Sequence, residues 1–172
     1  PVPTAAGGCP DICIWATLTR LNLSGAVTRA TNFHWVGWHN RANQVLPTYT
    51  GGGALDGFVF AGYKHYYVEE DRRVWGGPWV WLVKTGSDLA PQWDAHIGTV
   101  SQGSQAAALA RAGSGFLVGG SDFFLASGDP WAWLGAFDAS GTLTWTPPPR
   151  YGEAPVNAIE PAGDGGFVLG TD

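Results

Sequence analysis

Short runs of alternating hydrophobic residues are the clearest pattern in this 172-residue chain. In three places two large apolar residues lie two positions apart, which puts both side chains on one face of a β-strand. These pairs are Phe58/Phe60, Phe116/Val118 and Phe167/Leu169. Asp-Gly steps at 56–57 and 164–165 supply hairpin-type turns before two of them. The pattern predicts β-hairpins, and we interpret the one helix candidate, within 104–111, as a strand or loop.

The strand patterns recur along the chain. Pro-Trp-x-Trp-Leu occurs at 78–82 and again 52 positions later at 130–134. In each copy a further tryptophan, Trp93 or Trp145, follows 12 positions after the second one. A glycine-bounded strand occurs at 57–62, at 115–120 and, one residue shorter, at 166–170. A period near 50 residues with several short strands is typical of propeller blades, whereas leucine-rich and helical solenoids differ in period or pattern.

A third repeat marker is a turn. Residues 18–27 align with 134–143, which places Asn22 on Asp138 and Gly25 on Gly141. The Asx side chain can accept hydrogen bonds from the backbone ahead of it, and glycine completes the reversal. The middle copy, at 86–91, lacks this motif, so its turn must be built differently.

These motifs resemble bacterial, mostly secreted β-propeller repeats, in which Asp-Gly-Gly-[Phe/Tyr]-[Val/Leu] is followed by Trp-Leu-x-x-x-[Asp/Asn]-x-x-Gly-x-[Leu/Val]-x-Trp. The resemblance covers most of the chain. It implies an all-β, propeller-type fold of about three four-stranded blades in one domain, 1–172. We place the repeats at approximately 14–62, 79–120 and 131–170, after an N-terminal cysteine-containing segment, 1–13. Such repeats carry many functions, so the resemblance indicates a scaffold rather than an activity.

Three repeats are fewer than the about four to eight blades that close a propeller. Two arrangements would supply the missing blades. Two copies can associate into a six-bladed ring, with the first and last strands completing shared blades, or the chain is a fragment of a longer propeller. In both arrangements the unpaired strand edges need partners, because such edges invite association.

Composition narrows the class of partner. Charged residues make up 13% of the chain, about half the usual share, while 26 glycines and 12 prolines indicate a turn-rich protein. The net charge of −5 and the absence of any Lys/Arg cluster argue against nucleic acid. No apolar run approaches the ~18 residues needed to cross a bilayer, so we expect no membrane-spanning segment.

The cysteines and the missing methionine bear on location. The chain contains no methionine, which we interpret as processing or excision from a longer product, with any signal peptide removed. Cys9 and Cys13 are spaced for a small disulfide loop in an oxidising compartment. Half of a zinc site is the rival interpretation, but this pair alone supplies too few ligands. We therefore expect a secreted or cell-surface protein without a metal.

No nucleophile elbow, P-loop, His-Glu-x-x-His or dinucleotide-binding motif occurs. We therefore expect a non-catalytic protein without a cofactor. The alternative is a secreted carbohydrate-active enzyme, or a fragment of one, that uses paired carboxylates from different blades.

One aromatic and polar segment, 32–41, is the candidate ligand site. Its indoles can stack on a sugar ring while amide and guanidinium groups donate hydrogen bonds, although a packed contact between blades has the same composition. The candidate residues are His34, Trp35, Trp38, His39, Asn40 and Arg41. By contrast, the repeated pairs Trp79/Trp81 and Trp131/Trp133 are predicted to lie in the core between blades.

An insertion at 63–77 carries two tyrosines and a charged run, and is either a solvated hairpin extension or a partner-binding loop. The function predicted overall is that of an extracellular repeat scaffold. It would act by self-association, or by binding another protein or a glycan.

Overall fold

The computed structural model describes residues 15–33, 38–68, 73–74, 78–97, 102–124, 130–145 and 154–171. In these ranges the chain forms strands and turns and no helix. The strands are β1 (Ala16–Leu21), β2 (Val27–Phe33), β3 (Trp38–Tyr49), β4 (Leu55–Val68), β5 (Arg73–Val74), β6 (Trp79–Gly86), β7 (Pro91–Ile97), β8 (Gln102–Ala112), β9 (Gly115–Phe124), β10 (Pro130–Phe137), β11 (Leu143–Trp145), β12 (Val156–Pro161) and β13 (Phe167–Thr171).

The strands form four antiparallel sheets that follow one another along the chain. Sheet I is β1–β2, and sheet II has the order β3–β4–β6–β7, with the short β5 paired to the end of β4. Sheet III has the order β8–β9–β10–β11, and sheet IV is β12–β13. The all-β fold with blade-like, four-stranded antiparallel sheets is thus confirmed. The segment 104–111 lies within β8, so the strand interpretation is correct there.

Sheets II and III repeat the same register. Gly62 of β4 pairs with Trp81 of β6, and Gly120 of β9 pairs with Trp133 of β10. Both glycines also face a β-bulge in the preceding strand. A Cβ at Gly62 would lie 1.8 Å from the carbonyl oxygen of Arg41, so only glycine allows the two strands to approach this closely.

The predicted Asx turns are present. Asn22 Oδ1 accepts hydrogen bonds from the backbone N–H groups of Ser24 and Ala26 at 3.0 and 2.9 Å. Asp138 Oδ1 accepts the equivalent bonds from Ser140 and Thr142, both at 2.9 Å. Gly25 and Gly141 follow with φ of 82°. The side-chain acceptor and the left-handed glycine together close each hairpin, as the sequence predicts.

The middle turn uses the same backbone with different residues. The Leu89 N–H donates to the Gly86 carbonyl at 3.0 Å, and the Gly86 N–H donates to the Ala90 carbonyl at 2.8 Å. Gly86 has no side chain, and Asp88 Oδ1 instead accepts the Ala90 N–H at 3.0 Å. Leu89 takes the left-handed position with φ 63°, which is costly for a side-chain residue. Its side chain is buried between sheets I and II, which favours this conformation.

The four sheets pack face to face in chain order. Alternation along each strand sends successive side chains to opposite neighbours. Along β6, Val80 and Leu82 pack against sheet III, whereas Trp81 and Val83 pack against sheet I. Val156 of β12 packs in turn against sheet III. The hydrophobic core is therefore divided into three layers between consecutive sheets.

The repeated tryptophans occupy these layers. Trp81 is fully buried and meets Phe33 and Phe60 edge to face. Trp133 is half-buried and packs against the layer between sheets II and III. These two positions confirm the predicted core role of the second tryptophan in each pair.

The insertion begins as a hairpin extension. Strand β4 continues to Val68, and its last two residues pair with β5. Residues 69–72 and 75–77 lie outside the described part of the chain. The described residues contain no helix with the length and hydropathy needed to span a membrane.

Candidate functional site

The predicted ligand residues fall partly outside the described ranges. His34 and Trp35 lie there, as do Cys9 and Cys13 of the predicted disulfide. Trp38 begins β3, and its side chain is not described. His39, Asn40 and Arg41 follow on the same strand.

These three residues divide between the two faces of sheet II. Asn40 pairs with Lys64, whose face is turned toward sheet I, whereas His39 pairs with His65 on the face turned toward sheet III. Asn40 is completely buried, His39 is half-buried and Arg41 is exposed. The described part of the segment therefore does not present one continuous platform.

Asn40 belongs to a small polar group with its buried cross-strand partner Lys64. The Lys64 ammonium is 3.9 Å from Asp94 Oδ2, and the indole N–H of Trp81 donates to the same oxygen at 3.3 Å. Asn40 Oδ1 and Nδ2 have no hydrogen-bond partner, which is rare for a buried amide. Burial lowers the pKa of Lys64, and the Asp94 carboxylate opposes that shift. The group combines one buried cation with an amide that can still donate and accept.

The two smallest sheets offer a second candidate site. We call the first two strands of a complete sheet its inner half and the last two its outer half. Sheet I matches the outer half, because the β1–β2 turn has the same Asx hydrogen bond as the β10–β11 turn. Sheet IV matches the inner half, because Pro161 pairs with Phe167 as Pro47 pairs with Phe58 in sheet II. An outer half and an inner half are the complementary parts of one four-stranded sheet.

Two exposed apolar residues mark the surfaces that lack a neighbour, one on sheet II opposite the missing half of sheet I and one on sheet IV. Val45 of β3 is 47% exposed, although the register-equivalent residues Leu109 and Ile159 are buried. Val168 of β13 is 63% exposed, although its equivalent Val59 is fully buried. In the layer between sheets II and III, Val59 and Leu109 belong to one cluster. Val168 and Val45 are thus equivalent to the two sides of the contact between Val59 and Leu109. Within one chain, each of them lacks the residue that it would contact.

An apolar groove of about 430 Å³ lies beside β1 at the exposed Val45. Its walls come from β1, from the β3–β4 hairpin and from Leu89. It lies where the inner half of a blade would complete sheet I. The lining residues are Leu18, Thr19, Arg20, Leu21, Val45, Pro47, Tyr49, Leu55, Phe58 and Leu89.

The repeat pattern predicted the half-blades but not the residues that mark them. Val45 lies in a strand without a repeat motif, and its equivalence to Leu109 and Ile159 becomes visible only through the register and the bulge in β3. The signal available in the sequence was the glycine-bounded strand at 166–170, because its match to 57–62 makes Val168 the equivalent of Val59.

A comparison with models of known protein families found no match to this chain. A comparison with proteins of curated function found no match either. Function is therefore inferred from the residues and the geometry of the chain itself.

Proposed function

We propose that this protein is a non-catalytic, extracellular repeat scaffold of the propeller type, which self-associates by completing shared blades. The observation that carries the proposal is the complementarity of sheets I and IV. One provides the outer half of a blade and the other the inner half, and each leaves exposed an apolar residue whose equivalents are buried. The extracellular location rests on the resemblance of the repeats and on the cysteine pair.

In the proposed contact, β13 of one copy pairs with β1 of another as β4 pairs with β6. The register of the complete sheets sets Phe167 opposite Leu21 and Leu169 opposite Thr19. Val168 then packs against Val45 and fills part of the groove. This contact is heterologous, so it yields a closed ring only if the rotation between copies is suitable. Two copies give six blades, within the usual range. In a longer protein, flanking repeats would occupy the same surfaces.

The native mass of the purified chain tests the proposal. We expect a discrete species near twice 18.2 kDa by light scattering. Val168→Lys should return it to a monomer, because the ammonium would be buried against Val45 and directly opposite Arg20. Leu23→Lys is the matched control, since Leu23 is fully exposed in the β1–β2 turn. A wild-type monomer at about 100 µM would contradict self-association, and a dimer unaffected by Val168→Lys would contradict the proposed surface.

A further inference from the structure

Two arginines lie side by side on sheet I. Arg20 of β1 and Arg29 of β2 are direct cross-strand partners, and both are exposed. Like charges in such positions repel each other. Arg20 donates one hydrogen bond, at 3.2 Å, to the carbonyl oxygen of Ser87 in the next sheet. In the described part of the chain neither arginine forms an ion pair with a carboxylate.

The arginines line a pocket of about 440 Å³ between sheet I and the β6–β7 turn. The remaining walls are polar except for Leu21, and they include Asn22, Thr28, Ser87 and Asp88. The volume lies within the range of small-molecule sites, about 300 to 1,000 Å³. Asp88 brings one negative charge, but its Oδ1 accepts the N–H of Ala90.

Sheet II shows what fills the equivalent position in the next layer. In sheet II the equivalent cross-strand pair is Lys84 and Trp93. Lys84 is neutralised by Asp56, whose carboxylate oxygen is 2.8 Å from its ammonium nitrogen. Trp93 packs into the layer beside sheet III, so closely that a Cβ at Gly141 would lie 2.6 Å from its ring.

Between sheets I and II both of these features are replaced. Arg29 stands in place of the tryptophan, and Arg20 stands in place of the neutralised lysine. An open, positively charged pocket therefore exists where the next layer has a packed indole and a closed ion pair. A bound anion would supply the charge that Asp56 supplies to Lys84.

We infer that this pocket binds an oxyanion, a sulfate or carboxylate group, between the guanidinium groups of Arg20 and Arg29. Guanidinium forks donate paired hydrogen bonds to such groups, and Ser87 and Thr28 also line the pocket. Binding removes the repulsion between the two arginines and links sheet I to the β6–β7 turn. Every lining residue belongs to one chain, so the site does not depend on self-association.

Calorimetric titration with inorganic sulfate, at constant ionic strength, tests the inference. We expect saturable binding that Arg29→Gln and Arg20→Gln each weaken about tenfold or more. Arg111→Gln is the matched control, because Arg111 is an exposed arginine at the far end of β8. The control should bind sulfate as the wild type does. Circular dichroism of each variant confirms that the sheets are intact.

The source of the group is distinguished by competition. Displacement of sulfate by glucose 6-sulfate but not by glucuronate assigns a sulfate ester, and the reverse assigns a carboxylate. The inference is overturned if no saturable binding occurs below about 50 mM sulfate, a concentration that already corresponds to weak affinity. It is equally overturned if Arg20→Gln and Arg29→Gln both bind sulfate as the wild type does, because the sulfate would then be bound elsewhere on the protein.

Discussion

At the scale of single residues, Leu89 shows how burial overrides local preference. It occupies a left-handed position that Gly25 and Gly141 hold in the other copies, yet it is 3% exposed. The sequence predicted that this turn must differ but did not identify the residue with positive φ. That depended on the contact of Leu89 with sheet I, which local turn chemistry does not encode.

Substitutions at Leu89 separate burial from backbone strain. Leu89→Ala should lower the free energy of unfolding by about 2 to 5 kcal/mol, because it empties part of the layer between sheets I and II. Leu89→Gly should be no worse, since glycine relieves roughly 1 kcal/mol of left-handed strain. Urea denaturation measures both, with Leu23→Ala as an exposed control. If the glycine variant were clearly less stable than the alanine variant, the left-handed conformation at residue 89 would not be strained.

Asp138 adds a dependence on pH. Hydrogen bonds from the Ser140 hydroxyl and the Thr142 backbone hold the pKa of Asp138 below its ordinary value. Because the folded pKa is depressed, the stability gained is present above pH about 4 and is lost as the pH falls through the folded value.

Comparison with an amide variant tests this dependence. Asp138→Asn keeps an acceptor oxygen, as Asn22 does, but cannot titrate. Unfolding in urea at pH 6, 4 and 3 should show the stability difference between wild type and Asp138→Asn changing only at the two lower values. Asn22→Ala should cost the same at all three. A wild-type advantage that stays constant down to pH 3 would contradict the depressed pKa.

At the scale of elements, the strands and turns followed closely from the sequence because their signals are local. Period-two alternation placed the strands at Phe58, Phe116 and Phe167, and the Asx-Gly chemistry placed two turns. The faces of β3 could not be derived in this way. The register shifts at the bulge after Ala42, and one extra residue moves the later side chains to the other face.

The glycine opposite that bulge should be essential. Gly62→Ala should destabilise the protein by about 3 kcal/mol, because the new Cβ would collide with the Arg41 carbonyl and separate β3 from β4. Gly51→Ala is the control, since its Cβ would meet open space, and it should change stability by less than about 0.5 kcal/mol. Thermal or urea unfolding reports both changes. Equal effects of the two substitutions would show that the close approach is not required.

At the scale of the whole molecule, the sequence indicated three repeats and two ways of completing the open blades. The structure adds the residues that would meet. Val45 of sheet II and Val168 of sheet IV are exposed although their equivalents form the cores between complete sheets, and this could not be derived without the register. The candidate ligand segment was identified by composition alone, and composition does not distinguish the two faces of a strand.

Disulfide trapping between two variants is the most direct test of blade completion. Thr19→Cys and Leu169→Cys, each with Cys9 and Cys13 changed to serine, are mixed and mildly oxidised. The proposed register makes these positions cross-strand partners, about 4.5 to 5.5 Å apart at Cα, which suits a disulfide. We predict a covalent heterodimer of twice 18.2 kDa. Val168→Cys should not crosslink to Thr19→Cys, because Val168 faces the opposite side of β13. No crosslink with Leu169→Cys, or equal crosslinking with Val168→Cys, would contradict the account.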